Sequence, residues 1–289
     1  MQNSEAGFAA PDGVRLHRRS VLPASEPWAR LAVLPGYGDH GKRYLSAMTF
    51  LAEQGIACHA LDFRGQGLAE GRRGYAQRWE EYVSDLETFL ALDPVRGEGN
   101  LPLFLLAQSH GALVLTNAVL TGRLRDVAGV VLTAPFFRNR VPVSQQTLLV
   151  AKFAEQVLPW LQVPTDVPSH WMSSDAEMCR EDAEDPLALH IATPRWFLSM
   201  QRIQRECLAM AAQFSLPLLI LAGSDDQVAD NDATEQFFAA VSSPDRTMEV
   251  LPGFRHEPLR EADRQRTFTR IHQWIADRSP SPSAPKTVH

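Results

Sequence analysis

The stretch LPLFLLAQSHGALVLTNAVL, residues 101–120, decides the class of fold. Leu101 to Ala107 is a nearly unbroken apolar run of the length of a buried strand, and Ala112 to Leu120 has the composition of a helix. Gln108, Ser109, His110 and Gly111 leave room between them for one sharp turn. The free run from Gly99 to Gly122 carries no Asp, Glu, Lys or Arg and is long enough to raise the question of a membrane span. Pro102, Gln108, Ser109, His110, Gly111 and Asn117 interrupt it, so it reads as a soluble strand, turn and helix. In such a turn a serine sits in a strained conformation, and the residues two before and two after must be small because strand and helix backbones nearly touch there. Ala107 and Gly111 meet that requirement. The competing reading is that Ser109 only caps the helix that follows.

Outward from this unit the same alternation repeats. Toward the N-terminus lie the apolar run Leu31 to Leu34, a helix marked by Tyr44, Leu45, Met48, Leu51 and Ala52 that Gly55 ends, the strand Ile56 to Leu61, and a helix marked by Tyr82, Val83, Leu86, Phe89 and Leu90. Asp12 and Gly13 form a turn signal ahead of them, which reads as an opening antiparallel hairpin. Toward the C-terminus lie the strands Val127 to Ala134, Leu216 to Leu221 and Thr247 to Leu251, and a helix stripe of Phe268, Ile271, Trp274 and Ile275. Asp232 and Glu235 have the spacing of a capping box. Repeated strand and helix units predict an α/β fold with a mostly parallel central sheet covered by helices on both faces. The pattern breaks after Phe136-Phe137 and resumes at Leu216. This predicts a core of residues 1–137 and 216–278, an inserted helical cap of residues 138–215, and a disordered, proline- and serine-rich tail at 279–289.

Composition removes several classes of function. The 289 residues carry 28 Lys plus Arg against 34 Asp plus Glu, a net charge of −6, which gives no pull toward nucleic acid. The cysteines Cys58, Cys179 and Cys207 are odd in number and widely spaced, which fits a reducing, cytoplasmic compartment better than a disulfide framework. The first residues lack the apolar run of a secretory signal and read as a mature N-terminus. None of the nine histidines falls in an HExxH motif, and Asp230-Asn231-Asp232 lacks the glycine and final glutamate of a calcium loop, so no metal is expected.

Two chemical signatures compete. Gly36, Gly38 and Gly41 match GxGxxG between a strand and a helix, and Asp62 ends the next strand where a dinucleotide fold places its ribose-binding acid. Against a nicotinamide oxidoreductase, Lys42 and Arg43 crowd the helix start, and none of the four tyrosines has a lysine four residues on. The other signature is Ser109 with its partners in order. Asp225 and Asp226 follow a late strand and His256 follows the last one, so hydroxyl, carboxylate and imidazole fall on three loops at one edge of the sheet. Singly, Asp226 reads as well as a helix cap and His256 as a solvated loop residue; together the three indicate nucleophilic catalysis.

The segments DGVRLHRR (12–19), LPGYGDHGKRY (34–44), DFRGQGLAEGRRGY (62–75), AQSHG (107–111), GSDDQVAD (223–230) and GFRHEPLRE (253–261) resemble the monoacylglycerol lipase, lysophospholipase and serine aminopeptidase group of α/β-hydrolases over nearly the whole chain. The resemblance implies Ser109 as nucleophile, Asp226 as acid, with Asp225 as fallback, and His256 as base. It places the backbone N–H of Tyr37 in the oxyanion hole, beside that of His110 at the helix start. Pro35 and Gln108 stand where the group usually has histidines. The implied activity is hydrolysis of carboxylic esters, monoacylglycerol, lysophospholipid or similar, without a cofactor. The alternatives are an aminopeptidase of the proline iminopeptidase kind on the same fold, a nicotinamide-dependent oxidoreductase as above, and a non-catalytic receptor with the hydrolase fold.

In the expected cap, Gln146 to Leu161 has too many apolar positions for one narrow stripe. Phe153, Val157 and Trp160, with Trp171 and Trp196, are candidate substrate-binding residues. The same helix could touch a lipid surface or simply pack between cap and core. The acidic stretch Ser173 to Asp185 reads as a solvated loop, or, in an aminopeptidase, as a site for a substrate's ammonium group.

Overall fold

The computed structural model describes residues 1–97, 101–124, 126–165 and 167–279, so the expected tail lies outside the described residues from 280 onward. Strands β1 (Gln2–Ala9) and β2 (Arg15–Leu22) form the antiparallel hairpin that the Asp12-Gly13 turn closes, with Gly13 at φ 87°. There follow β3 (Ala29–Leu34), α1 (Leu45–Glu53), β4 (Ile56–Asp62), α2 (Glu80–Leu90), α3 (Asp93–Arg96), β5 (Leu103–Gln108), α4 (His110–Leu120) and β6 (Gly129–Thr133). The stretch that interrupts the alternation holds α5 (Gln145–Val157), β7 (Val163–Pro164), α6 (Ser169–Met172), α7 (Ala176–Glu184), β8 (Ile191–Ala192) and α8 (Pro194–Met210). The chain then finishes with β9 (Leu218–Gly223), α9 (Asn231–Ala240), β10 (Arg246–Leu251) and α10 (Arg264–Ala276).

Among the described residues, eight strands make one sheet in the order β1-β2-β4-β3-β5-β6-β9-β10, parallel from β4 onward. Every residue of β3, β4, β5, β6 and β9 is buried, which is why these strands read as unbroken apolar runs rather than as alternating ones. Their side chains alternate between two apolar layers. Leu105 and Ala107 face Tyr82, Phe89, Leu113 and Phe237 on one side; Phe104 and Leu106 face Met48, Phe268, Ile271 and Trp274 on the other. Helix α8 runs along α4 and buries Met200, Ile203 and Cys207 in the first of these layers.

Local signals differ from the sequence expectation in two places. The N-cap of α9 is Asp230, whose carboxylate accepts from the N–H of Asp232, so the Asp232/Glu235 spacing lies inside the helix rather than at its cap. The acidic stretch at 173–185 is not a loop but largely α7, capped by Asp175 through the N–H groups of Glu177 and Met178. Carboxylates early in a helix favour it by facing the positive end of its dipole.

Candidate active site

Strand β5 enters the sharp turn that its sequence predicts. Ser109 has φ 50° and ψ −110°, a left-handed conformation that costs a non-glycine residue about 1–3 kcal/mol and persists only under constraint. The constraint is visible in its neighbours. The N–H of Ser109 donates to the carbonyl of Thr133 on β6 at 3.0 Å. A Cβ on Gly111 would lie 2.5 Å from the carbonyl oxygens of Leu34 and Pro35, so α4 can start here only with glycine at that position. Ser109 occupies the N-cap position of α4 but makes no capping bond with its side chain. Its Oγ lies instead 2.9 Å from Nε2 of His256.

The other ring nitrogen of His256, Nδ1, lies 2.8 Å from Oδ2 of Asp226. Asp226 Oδ1 accepts from the N–H groups of Val228 and Ala229 at 2.7 and 2.9 Å, which fixes the carboxylate's orientation. Asp225 points outward and accepts from the Ser224 hydroxyl, so the structure brings Asp226 and not Asp225 to the imidazole. The loops after β9 and β10 can meet because Gly223 lies between them: a Cβ there would fall 2.2 Å from the carbonyl oxygen of Arg255. All three side chains are buried. Burial disfavours the imidazolium of His256, but the carboxylate of Asp226 and, beyond it, Glu257 outweigh that and hold the ring above the ordinary histidine range.

Residues 35–40 border the serine; a Cβ on Gly36 would stand 3.6 Å from Ser109 Cβ. Gly36 N–H donates to the Tyr44 hydroxyl at 3.2 Å, that hydroxyl donates to Asp39, and Gly38 N–H donates to Gln66 Oε1 at 2.6 Å. Tyr37 lies in this loop between Gly36 and Gly38, and His110 opens α4 directly after the serine. The side chain of His110 is enclosed by Phe63, Trp79, Tyr82 and Trp196, and burial pushes its pKa down to about 3.

The glycine motif and its acid turn out to be partners of each other. Asp62 Oδ1 accepts from Gly41 N–H at 2.6 Å and Oδ2 from Leu68 N–H at 3.0 Å, with His17 Nδ1 at 3.2 Å. The carboxylate that would hold a ribose is thus occupied in fixing the loop after β3.

Some residues at the site had no role assigned from sequence. Gln108 donates to the carbonyl of His256, and Arg43, Arg260, Asp39, Asp182 and Glu257 form a buried charge cluster next to His256. Burial, with the neighbouring carboxylates, drives Glu257 and Asp182 above the usual carboxylate range. The available signal was Gln108 itself, a polar residue closing an apolar strand; nothing in the local pattern announced the cluster, whose members come from three separated segments.

The candidate substrate-binding residues divide. Trp196 is buried, 7% exposed, and lies against Tyr37 and His110. Trp171 lends its carbonyl to the N–H of His256 at 3.3 Å. Phe153, Val157 and Trp160 lie at the surface, 70%, 57% and 43% exposed, on or just beyond α5, a helix with no buried residue that packs against α8. The acids of α7 and its ends mostly face basic side chains of the core: Asp175 pairs with Arg264, Asp182 with Arg43 and Arg260, and Asp185 lies 2.7 Å from His40 Nε2. No group of three or more His, Cys, Asp or Glu among the described residues is placed to hold a metal ion.

Comparison with known proteins bears on the family and the fold. The family model described as Serine aminopeptidase, S33 (Hydrolase_4) matches residues 25–263. The chain is 25% identical over 275 residues to a monoacylglycerol lipase of Mycolicibacterium smegmatis, covering 94% of this chain and 96% of that one. It is 24% identical over 246 residues to phospholipase YtpA of Bacillus subtilis, covering 85% and 94%. It also matches an uncharacterized abhydrolase domain-containing protein of Dictyostelium discoideum, of whose length it spans only 29%. A solved structure of a soluble variant of monoglyceride lipase from Saccharomyces cerevisiae superimposes with a TM-score of 0.85 at 20% identity, over 97% of this chain and 96% of that one. With its eight-stranded sheet and its serine turn after β5, this chain belongs to the Hydrolase_4 family of α/β-hydrolases.

Proposed function

We propose that this chain is a serine hydrolase that cleaves carboxylic esters through Ser109, His256 and Asp226. The observation that carries the reading is one hydrogen-bonded row, Ser109 Oγ to His256 Nε2 at 2.9 Å and His256 Nδ1 to Asp226 Oδ2 at 2.8 Å, ending on a carboxylate that two backbone N–H groups orient. With Nδ1–H donated to Asp226, Nε2 is free to accept the serine proton as Oγ attacks the ester carbonyl. His256 then protonates the departing alcohol, and water repeats the sequence on the acyl-enzyme. The N–H groups of Tyr37 and His110 stabilise the oxyanion, the latter at the positive end of α4.

The preferred substrates are monoacylglycerols, lysophospholipids or similar acyl esters, in keeping with relatives named monoacylglycerol lipase and phospholipase. An aminopeptidase would need an acid to hold a substrate's ammonium group; the inward acids Asp175, Asp182 and Asp185 are already paired and Glu184 is exposed, which favours the ester. Residues 138–215 act as the cap, and Leu149, Val150, Phe153, Val157 and Trp160 present an apolar surface that suits transient contact with a lipid interface. The described residues contain no helix long and apolar enough to cross a membrane, and the three free thiols fit the cytoplasm.

The test is labelling by a fluorophosphonate, together with hydrolysis of nitrophenyl esters of increasing chain length and of a prolyl arylamide. Labelling and ester turnover should both vanish in Ser109→Ala. Labelling that survives the substitution, or turnover of the arylamide alone, would overturn the assignment.

A further inference from the structure

An oxyanion donor is useful only if it is held still, since displacement by about 1 Å can cost on the order of 10²-fold in rate. Tyr37 lies outside any strand or helix, with glycines at 36 and 38, the second at φ 79°. Bonds from Gly36 N–H to Tyr44, from Gly38 N–H to Gln66 and from Leu189 N–H to the Gly38 carbonyl hold the backbone on either side of it, and its own side chain adds a further anchor. The Tyr37 ring stacks face to face on Trp196, with centroids 3.5 Å apart and planes 20° from parallel. The Tyr37 hydroxyl donates to the carbonyl of Gly74 at 2.9 Å, and the hydroxyl of Thr193, the N-cap of α8, donates to that same carbonyl at 2.9 Å.

The indole reaches the other donor as well. Trp196 Nε1 lies 3.5 Å from Nδ1 of His110, with ring centroids 6.0 Å apart. Indole N–H only donates, so Nδ1 is the accepting nitrogen and the proton of the neutral imidazole sits on Nε2. Burial keeps that ring neutral, which lets it accept. Pro194 in the first turn of α8 and the Thr193 cap set where the helix begins, and therefore where the indole stands.

We infer that Trp196 is a positioning residue for the oxyanion hole: one buried indole, carried by the segment between β6 and β9, holds the side chains of both residues whose backbone N–H groups receive the carbonyl oxygen. This rests on the serine-hydrolase reading above. It assigns Trp196 a part in kcat rather than in substrate affinity.

Trp196→Leu keeps apolar volume but loses the flat ring and the N–H. With a short soluble ester it should lower kcat by about 10- to 100-fold, against the 10²- to 10³-fold of losing a donor outright, and leave KM within about 2-fold. Affinity for a boronic acid, whose tetrahedral adduct places an oxygen in the hole, should fall by the same factor as kcat. Trp196→Phe, which restores a stacking ring, should recover most of both. Tyr37→Leu removes the stack from the opposite side and keeps the N–H; it should lose as much, and the double variant no more than either single one. That second route decides the matter if Trp196→Leu does not fold. Parental kcat and boronate affinity in these variants, or a raised KM at unchanged kcat, would overturn the inference while leaving the hydrolase reading intact. Absence of ester turnover and of Ser109 labelling in the parent would instead remove that reading.

Discussion

The carboxamide of Gln108 donates to the backbone carbonyl of His256 across 2.7 Å, while its own oxygen accepts from the Thr133 hydroxyl. The last residue of β5 therefore ties the histidine loop to β6, one position before the serine. Gln108→Leu should leave the carbonyl of His256 unsatisfied in a buried site and the Thr133 hydroxyl with only its 3.5 Å contact to the Ala107 carbonyl, at a cost of about 1–3 kcal/mol in stability. We expect kcat to fall by about 10-fold through a loosened His256, with KM unchanged. Denaturant melts and steady-state kinetics on one preparation check both; a kcat equal to the parent's would show that the loop holds without this bond.

The two neighbouring acids should separate cleanly. Asp226→Asn preserves shape but loses the charge that fixes the imidazole tautomer, and activity should drop by about 10⁴-fold. Asp225→Asn, whose exposed side chain accepts from its neighbour's hydroxyl and does not reach His256, should stay within about 2-fold. Equal losses in the two variants would show that the acid has been misassigned.

His256 must be neutral to take the serine proton, and its folded pKa lies above the ordinary value near 6.5. A raised pKa means that the imidazolium persists to higher pH, so kcat/KM should rise with pH through an apparent pKa above 6.5. A profile already flat by pH 6 would contradict the pairing with Asp226.

Two arginines, Arg43 and Arg260, face the carboxylates of Asp39, Asp182 and Glu257, with Glu181 at the exposed rim, so acids outnumber cations in the cluster. Arg43→Met leaves the acids facing one another and should destabilise by about 3–5 kcal/mol. Asp182→Asn removes one excess charge and should cost no more than about 1–2 kcal/mol, although it too breaks a contact between α7 and the core. Thermal unfolding orders the two; the reverse order would mean that the acids are balanced by some other cation.

If the exposed face of α5 meets lipid, Leu149→Ser with Phe153→Ser should weaken sedimentation with phosphatidylcholine vesicles and slow hydrolysis of vesicle-borne monoacylglycerol by about 10-fold. Turnover of a soluble short ester should not change. Loss of both activities together would place these side chains in the site rather than on the membrane.

How much of this could be read from the chain depends on how local its cause is. A strand buried on both faces must be apolar throughout, and a turn in which strand and helix touch must have small residues at fixed offsets; residues 101–120 state both requirements in consecutive letters. The positions of Asp226 and His256 after later strands could be read for the same reason, because parallel strands bring all their C-terminal ends to one edge. What no local pattern encodes is contact between segments far apart along the chain. The stack of Tyr37 on Trp196 and the pairing of Asp182 with Arg43 exist only because the insertion folds back over the sheet, and the bond from Gln108 to His256 only because the end of β5 meets the loop after β10. An acidic stretch looks the same whether water or arginine neutralises it. Likewise an apolar helix looks the same whether it is buried or left facing solvent, and only the packed chain decides which of its faces has a partner.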